Sequence, residues 1–319
     1  MATLNQSLEP TTAPAVSPVQ SVVRGLASFL RQMAQRPLGF AGMVLVLVFA
    51  VLAVFGPMVA PFGYDDVLRG EDRRALKNMP PSAEHIMGTD NLGRDVFSRV
   101  LTGARDTIGL PAISTAIAVA IGTVIGLATG YIGGWFDEIV SRGLDSLLAI
   151  PALVLALVML TTIVPTLNNL DSPFVESIGA NNISITLVIV LLYVPIVTRV
   201  IRSATLGIRS AGYVEIAKLR GESTLYIMFR EILPGVLPAL AVEASLRFSY
   251  AIFLVASLGF LGLGVQPPSA EWGRMVLDAR GQVEIAPWSL WYPAAAIAIL
   301  IISVNLMADG LRRVFRYDE

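Results

Sequence analysis

Six long apolar runs separated by polar segments divide the chain from residue 39 onward. The runs are Gly39–Ala60, Thr107–Phe136, Ser146–Thr166, Ile183–Thr198, Gly235–Leu263 and Trp288–Ala308. A helix needs about 20 predominantly apolar residues to cross the hydrocarbon core of a bilayer. The pattern therefore predicts an all-α membrane protein with about six transmembrane helices.

The fourth run is short, and its helix is predicted to continue past Arg199 towards Arg202 because arginine side chains can reach the interface. Pro111, Pro151 and Pro195 lie inside the runs or near their ends. Neighbouring helices can satisfy the carbonyl groups that a proline leaves unpaired. We therefore expect kinks at these prolines rather than breaks.

The polar segments set the predicted domain organisation. Residues 1–37 are predicted to be a disordered tail that ends in either an amphipathic surface helix or an extension of the first span. The first transmembrane helix is assigned to residues 38–60 and an external loop to residues 61–106. Residues 107–319 form a core domain with five transmembrane helices, which includes a cytoplasmic loop at residues 199–234.

Arginine and lysine residues favour one orientation of these helices. With a cytoplasmic N-terminus, the inner segments carry thirteen such residues and the outer segments nine. Cytoplasmic loops are enriched in positive charge. The sequence therefore predicts a multi-pass membrane protein with both termini in the cytoplasm.

Composition excludes several classes of function. Apolar residues make up 55% of the chain and charged residues 15%, and the mean hydropathy is +0.69. The net charge of -1 argues against binding to nucleic acid, which requires a basic surface. The chain has no cysteine, and His85 is its only histidine, so a histidine- or cysteine-based metal centre is not expected.

Two series of glycines lie in the second and fifth runs. The first series recurs at every fourth position, which places it on one helix face where another helix can approach closely; it is Gly122, Gly126, Gly130 and Gly134. The second series resembles a phosphate-binding loop only superficially, because neither a strand before it nor a Gly-Lys-Ser/Thr after it is present. It is expected to end or bend the fifth helix, and consists of Gly259, Gly262 and Gly264.

Charged residues inside an apolar run are candidates for function. Glu243 and Arg247 lie four residues apart on one face of the fifth predicted helix. An unpaired charge at the bilayer centre costs a few kcal/mol or more. The pair is interpreted either as a buried structural ion pair near the cytoplasmic end or as part of the translocation path, and the structural interpretation is favoured.

Two further groups are interpreted structurally. Asp90, Arg94 and Asp95 are expected to form an ion-paired helix start on the outer surface. Tryptophan favours the boundary between membrane and water. An aromatic belt is therefore predicted for Trp272, Trp288 and Trp291.

The predicted cytoplasmic loop contains a short helical pattern that ends at a glycine. Residues 212–220 combine apolar and basic residues and precede Gly221. A second helical turn follows at residues 225–229, where all five side chains are apolar or aromatic. Apolar side chains in an exposed loop are unfavourable unless they are covered, either by this chain or by a partner.

The same loop carries the most specific resemblance in the chain. The element Glu-x-Ala-x-x-x-Gly, followed at a distance by Ile-Leu-Pro, resembles the defining loop of binding-protein-dependent ABC importer permeases. Glu215, Ala217, Gly221 and Pro234 match that pattern, and Leu225 lies in the turn after the glycine. Ile216 and Glu231 depart from it, because alanine and an apolar residue are usual at those positions.

This resemblance implies both a fold and a set of partners. The fold is the MetI-like fold of type I ABC importer permeases. The matching residues would form a coupling helix that docks into an ATP-hydrolysing subunit. The implied partners are a second homologous permease subunit, two ATP-binding subunits, an extracytoplasmic substrate-binding protein and the lipid bilayer. ATP would be bound by the partner subunits, so this chain is expected to hold no cofactor.

Three other stretches are similar to permeases of the dipeptide, oligopeptide and nickel type, in particular to their "C" subunits. They are residues 88–105, 259–273 and 305–312, so that the resemblance covers about residues 38–316. The implied function is import of peptides or a similar small solute by alternating access. Dipeptides, oligopeptides and nickel complexes all remain open as substrates.

Two other functions compete with the importer. A secondary transporter without an ATPase partner usually shows an internal repeat and ionisable groups at mid-membrane; the chain shows no such repeat and only the Glu243–Arg247 pair. An intramembrane enzyme would need a buried nucleophile with its base or two buried aspartates. Because His85 lies in a polar loop and the spans lack aspartates away from their ends, no catalytic residue is assigned.

Overall fold

Long apolar helices dominate the computed structural model, which describes residues 27–315. The α-helices are α1 (27–34), α2 (Pro37–Val59), α3 (Val96–Ile132), α4 (Gly134–Leu148), α5 (Ala152–Asn168), α6 (Pro173–Ile178), α7 (Ala180–Ile208), α8 (Gly212–Leu219), α9 (Thr224–Tyr226), α10 (Leu233–Phe260), α11 (Trp272–Ala279) and α12 (Trp288–Phe315). A π-helical turn at Ile227–Ile232 joins α9 to α10. Of the predicted tail at residues 1–37, residues 1–26 lie outside the described residues.

Five helices in this part of the chain are long and apolar enough to cross a membrane. They are α2, α3, α7, the continuous helix Thr224–Phe260 and α12. The pair formed by α4 and α5 counts as a sixth span if its two halves are taken together. The prediction of an all-α protein with about six transmembrane helices is confirmed.

The third span is broken rather than kinked. The axes of α4 and α5 meet at 86°. Pro151 has no N–H group, and its ring disfavours a helical conformation for Ile150. The helix therefore ends at Leu148 and restarts at Ala152. The expectation of a kink at Pro151 was wrong, whereas Pro111 and Pro195 lie inside continuous helices.

The second span begins earlier than its apolar run, so the end of the predicted external loop is helical. Asp95 precedes α3, and its carboxylate accepts a hydrogen bond of 2.7 Å from the backbone N–H of Ser98. The side chain of Arg94 contacts Asp90 at 2.7 Å. Arg99, almost fully buried, donates to the carbonyl of Tyr64 at 2.8 Å. An ion-paired helix start is therefore present, and it ties the loop to α3.

Glycines let α3 and α7 pack closely. A Cβ atom added to Gly122 would lie 2.7 Å from the Cβ of Val197. One added to Gly126 would lie 2.8 Å from the Cβ of Ile201. Gly130 makes an equally close approach to α7. The prediction of close packing is confirmed for these three glycines. It was wrong for Gly134, which begins α4 with a φ of +64° and where an added Cβ atom would meet no neighbour within 4 Å.

The tryptophans do not form one belt. Trp272 is only 1% exposed and donates its indole N–H to the carbonyl of Val100 at 2.9 Å. Trp288 donates to the carbonyl of Thr89 at 3.0 Å. Trp291 is exposed. The belt prediction was wrong for Trp272, because its N–H finds a partner inside the fold.

The segment after α10 closes over a buried carboxyl group. The helix ends at Phe260, and Gly262 follows with a φ of +80°. Glu271 is fully buried and caps α11 by accepting hydrogen bonds of 2.8 Å from the N–H groups of Gly273 and Arg274. Burial raises the pKa of Glu271 to about 7. Gly259 lies directly against this carboxylate, which leaves no room there for a side chain.

Candidate functional site

The inner face of α8 fixes this short helix to the transmembrane bundle. Val214 and Ala217, three residues apart, are both fully buried. They belong to an apolar cluster that also contains Leu127 of α3 and Val197 of α7. Ala217, which matches the predicted coupling-loop pattern, packs inside this chain. Its small side chain allows α8 to lie close to the ends of α3 and α7.

Gly221 ends α8 in a Schellman motif. The N–H of Gly221 bonds to the carbonyl of Lys218 at 3.0 Å, and the N–H of Glu222 bonds to the carbonyl of Ala217 at 3.2 Å. These two bonds satisfy carbonyl groups that a helix end leaves unpaired. Gly221 has a φ of +75°, a conformation that glycine adopts without steric cost. No atom lies within 4 Å of an added Cβ, so the requirement here is for backbone conformation rather than space.

The outer face of α8 and the turn after it are apolar and uncovered. Leu219 is 88% exposed, Leu225 66% and Ile216 58%. We call these three residues, together with Tyr213 and Phe229, the exposed apolar face. An apolar surface of this kind is typical of an interaction site.

The sequence predicts this face only in part. It left open whether this chain or a partner covers the side chains at residues 225–229, and the structure shows that this chain buries Ile227 and Met228 in the cluster beneath α8. Ile216 and Leu219 were not identified as surface residues. Their spacing of three residues, opposite Val214 and Ala217 on the helix, is the signal that would have found them.

Polar contacts hold the ends of α8. Lys218 lies 5.1 Å above the ring of Tyr131, in the last turn of α3. Arg220 lies 3.7 Å from Glu231, across the turn that Gly221 closes. Glu231, which departs from the family pattern, therefore has a charge partner. The side chain of Glu215 is exposed and makes no hydrogen bond or ion pair within residues 27–315.

Pro234 follows the π-helical turn that links α9 to α10. A proline inside a helix removes one backbone bond and crowds the carbonyl four residues before it. In the π turn, the N–H of Leu233 bonds instead to the carbonyl of Met228, five residues back. The wider turn accommodates Pro234, so the loop and α10 form one continuous helical segment from Thr224 to Phe260.

Glu243 and Arg247 form an ion pair inside α10. The Nε atom of Arg247 lies 2.8 Å from the Oε1 atom of Glu243, and both side chains are more than four-fifths buried. Neither atom makes a well-aligned hydrogen bond with a described residue. The guanidinium lies 4.9 Å from the ring centre of Tyr250 and 5.6 Å from that of Tyr193. The pair lies midway along α10, not towards the end where it was expected.

Comparison with known proteins places these features in a family. Residues 122–316 match the family described as binding-protein-dependent transport system inner membrane component. Residues 26–81 match the N-terminal transmembrane domain of oligopeptide transport permease C. The first match covers α8, the turn that follows it and α10.

Two relatives are similar over most of their length. The dipeptide transport system permease protein of Alkalihalophilus pseudofirmus is 33% identical over 304 residues, which are 95% of this chain and 93% of the relative. The glutathione transport system permease protein of Escherichia coli is 33% identical over 290 residues, which are 89% of this chain and 88% of the relative. The chain therefore belongs to the multi-pass inner-membrane permeases of ABC importers, a family of transport proteins rather than enzymes, and within it to the dipeptide/oligopeptide type.

Proposed function

We propose that the chain is the permease subunit of an ATP-driven importer for peptides or a similar small solute, and that it works by alternating access. One observation carries the link to an ATPase. The exposed apolar face lies on α8 and on the turn after it, and the inner side of α8 packs into the bundle while Gly221 ends the helix. A surface that is apolar, uncovered and rigidly attached suits the transmission of movement from a partner.

Each predicted coupling residue has a part in this proposal. Leu225 and Glu215 lie on the surface and would touch the ATP-binding subunit. Ala217 and Gly221 set the position and the end of α8. Pro234 lies in the first turn of α10, directly after the π-helical turn that joins the loop to this helix. Movement of α8 would therefore reach α3, α7 and α10 together.

The proposed complex contains a second homologous permease, two ATP-binding subunits and an extracytoplasmic substrate-binding protein. ATP is bound by the ATP-binding subunits and not by this chain. A groove of about 650 Å³ between α3 and α10 is lined by small and apolar residues that include Ala112, Ala116, Leu237 and Phe248. Its apolar lining suits a helix of the second permease.

Glu243 and Arg247 are proposed as a structural ion pair rather than as part of the solute path. Their burial, and the two tyrosine rings against Arg247, favour this role. In the alternative role, the pair lines part of the solute path. That role requires water to reach the pair in another state of the importer.

Orientation is proposed from the charge distribution, with both termini and α8 in the cytoplasm. The absence of native cysteine makes labelling a clean test. Cysteine at exposed Ser82 or Ser177 should react with an impermeant thiol reagent added to intact cells. Cysteine at exposed Thr224 should react only after the membrane is opened. Labelling of Thr224→Cys in intact cells would contradict the orientation and the coupling role together.

Uptake by reconstituted vesicles tests the function itself. The assembled complex should accumulate di- and tripeptides only when ATP and the binding protein are both supplied. The names of the two relatives make dipeptides and glutathione the first solutes to try. Uptake driven by a proton gradient without ATP would instead support a secondary transporter, the alternative function.

A further inference from the structure

A groove of about 250 Å³ lies where the start of α2 meets the end of α12. Arg36 and Leu38 line one side of it, and Leu306 and Arg313 line the other. Neither the coupling role nor the solute path uses these residues. The groove combines two cationic side chains with two apolar ones at one end of two transmembrane helices.

Two glycines create this groove. A Cβ atom added to Gly39 would lie 2.7 Å from the Cα atom of Gly310, so the two backbones nearly touch. Met33, fully buried, closes one side of the crossing. Because the helices meet without intervening side chains, the larger residues on either side of the crossing border an open groove.

The charge of the groove suits an anion. Arg312 and Arg313 are exposed in the last turn of α12, and neither side chain makes a hydrogen bond or ion pair within residues 27–315. Arg36 and Arg313 are the two arginines that line the groove, whereas Arg312 is not among the lining residues. Asp309 is the carboxylate among the lining residues, and it does not pair with Arg313 four residues later. Basic pockets between transmembrane helices bind anionic lipid headgroups.

The surface beside the groove identifies the source of the anion. Leu38 is 69% exposed, and the exposed side chains of Leu45 and Val48 continue its apolar surface along α2. This helix is the least buried of the long spans, with 11% of its central window inside the protein. A phospholipid can use both parts of the site, whereas free phosphate can use only the arginines.

We infer that this groove binds the headgroup of an anionic phospholipid, with the acyl chains lying along α2. Arg36 and Arg313 contact the phosphate, and Leu38 contacts the start of the chains. The inference does not depend on the proposed transport function, because it holds for whichever leaflet surrounds the start of α2.

The test compares lipids on the purified full-length chain. Phosphatidylglycerol added to detergent micelles should raise the unfolding midpoint more than phosphatidylcholine does. Native mass spectrometry should show phosphatidylglycerol bound preferentially. Each removed cation should weaken this binding about fivefold. Arg313→Gln and Arg36→Gln should each reduce the shift, and the double variant should abolish it.

Controls separate the site from general charge effects. Arg313→Lys should keep most of the shift, because the cation remains. Arg280→Gln, which changes an exposed arginine beyond α11, should behave like the wild type. Equal midpoints in the two lipids, or an unchanged shift in Arg313→Gln, would overturn the inference. The same holds if glycerol phosphate alone reproduces the shift, because the site would then bind phosphate and not lipid.

Discussion

The ammonium group of Lys218 lies 5.1 Å above the aromatic ring of Tyr131, and this contact ties α8 to the last turn of α3. The same ammonium lies 3.4 Å from the carbonyl of Arg209, just after α7. One side chain thus connects the proposed docking helix to two transmembrane helices that pack through Gly122, Gly126 and Gly130. Movement of α8 should be carried directly into that pair.

Loss of this contact should lower transport more than stability. A cation–π contact at an exposed site contributes about 0.5–1 kcal/mol. Lys218→Met keeps the length of the side chain, and Tyr131→Leu keeps an apolar side chain. We expect normal membrane levels and fewer solute molecules imported per ATP in each variant. The double variant should be no worse than either single one. Additive losses in this double-mutant cycle would show that the two residues act independently.

The exposed apolar face should govern assembly with the ATP-binding subunits. Burial of a leucine side chain contributes about 1.5–3 kcal/mol. Leu219→Ser and Leu225→Ser should therefore each weaken the affinity for the ATP-binding subunits about tenfold or more. Co-purification of these subunits with the permease measures the loss. The variants should still fold, because both side chains are exposed in this chain. Ile285→Ser, equally exposed beyond α11, is the control. Full assembly of both leucine variants would rule out this face as the docking surface.

Single and double changes should distinguish the two roles of Glu243 and Arg247. Arg247→Ala leaves a buried carboxylate without its partner, which costs about 3–5 kcal/mol and should lower membrane levels. Replacing both residues with leucine should restore those levels. If uptake returns as well, the pair is structural, as proposed. Restored levels without uptake would place the pair in the solute path.

Titration of Glu271 should make stability depend on pH. The pKa of Glu271 is about 7 in the folded protein, compared with 4.5 for the same group without the fold. Between these values the folded state keeps a proton that the unfolded state has released, so stability falls as the pH rises from 4.5 to 7. In Glu271→Gln, the unfolding midpoint should no longer depend on pH over this range. A wild-type midpoint that does not change across this range would contradict the buried, neutral carboxyl group.

Much of the fold follows from the sequence because the bilayer imposes a length on each apolar run. The run at residues 39–60 predicted α2 to within a few residues, since lipid satisfies no backbone group and the helix must span it alone. The bend at Pro151 could not be predicted from the sequence. Whether a proline kinks or breaks a helix depends on the neighbouring helices, and these are not visible in a single run.

The candidate site was predicted through local chemistry, and its missing parts depend on packing. Gly221 was identified as a helix end because a positive φ favours glycine at that position. The contact between Lys218 and Tyr131 joins residues far apart in sequence, so no spacing predicts it. Trp272 was misassigned for the same reason. Its hydrogen-bond partner, Val100, belongs to another helix.

The central claim is that α8, ended by Gly221, carries the movement of an ATPase into the membrane. At a φ of +75°, a β-branched residue is strained, and even an ordinary residue costs about 1–2 kcal/mol. Asparagine and aspartate both tolerate this conformation, and they differ in charge. Gly221→Val therefore tests the backbone, Gly221→Asp tests a charge beside the docking surface, and Gly221→Asn is the matched control.

The most direct measurement is ATP-dependent uptake by the three variants in proteoliposomes, normalised to permease content and paired with ATPase activity. Gly221→Asn should keep most of the uptake. Gly221→Val and Gly221→Asp should reach the membrane at near-normal levels but lose uptake. Their ATPase activity should be absent or unresponsive to the binding protein. Wild-type, binding-protein-stimulated uptake by Gly221→Asp would show that this loop is an ordinary turn, and would contradict the coupling role of α8.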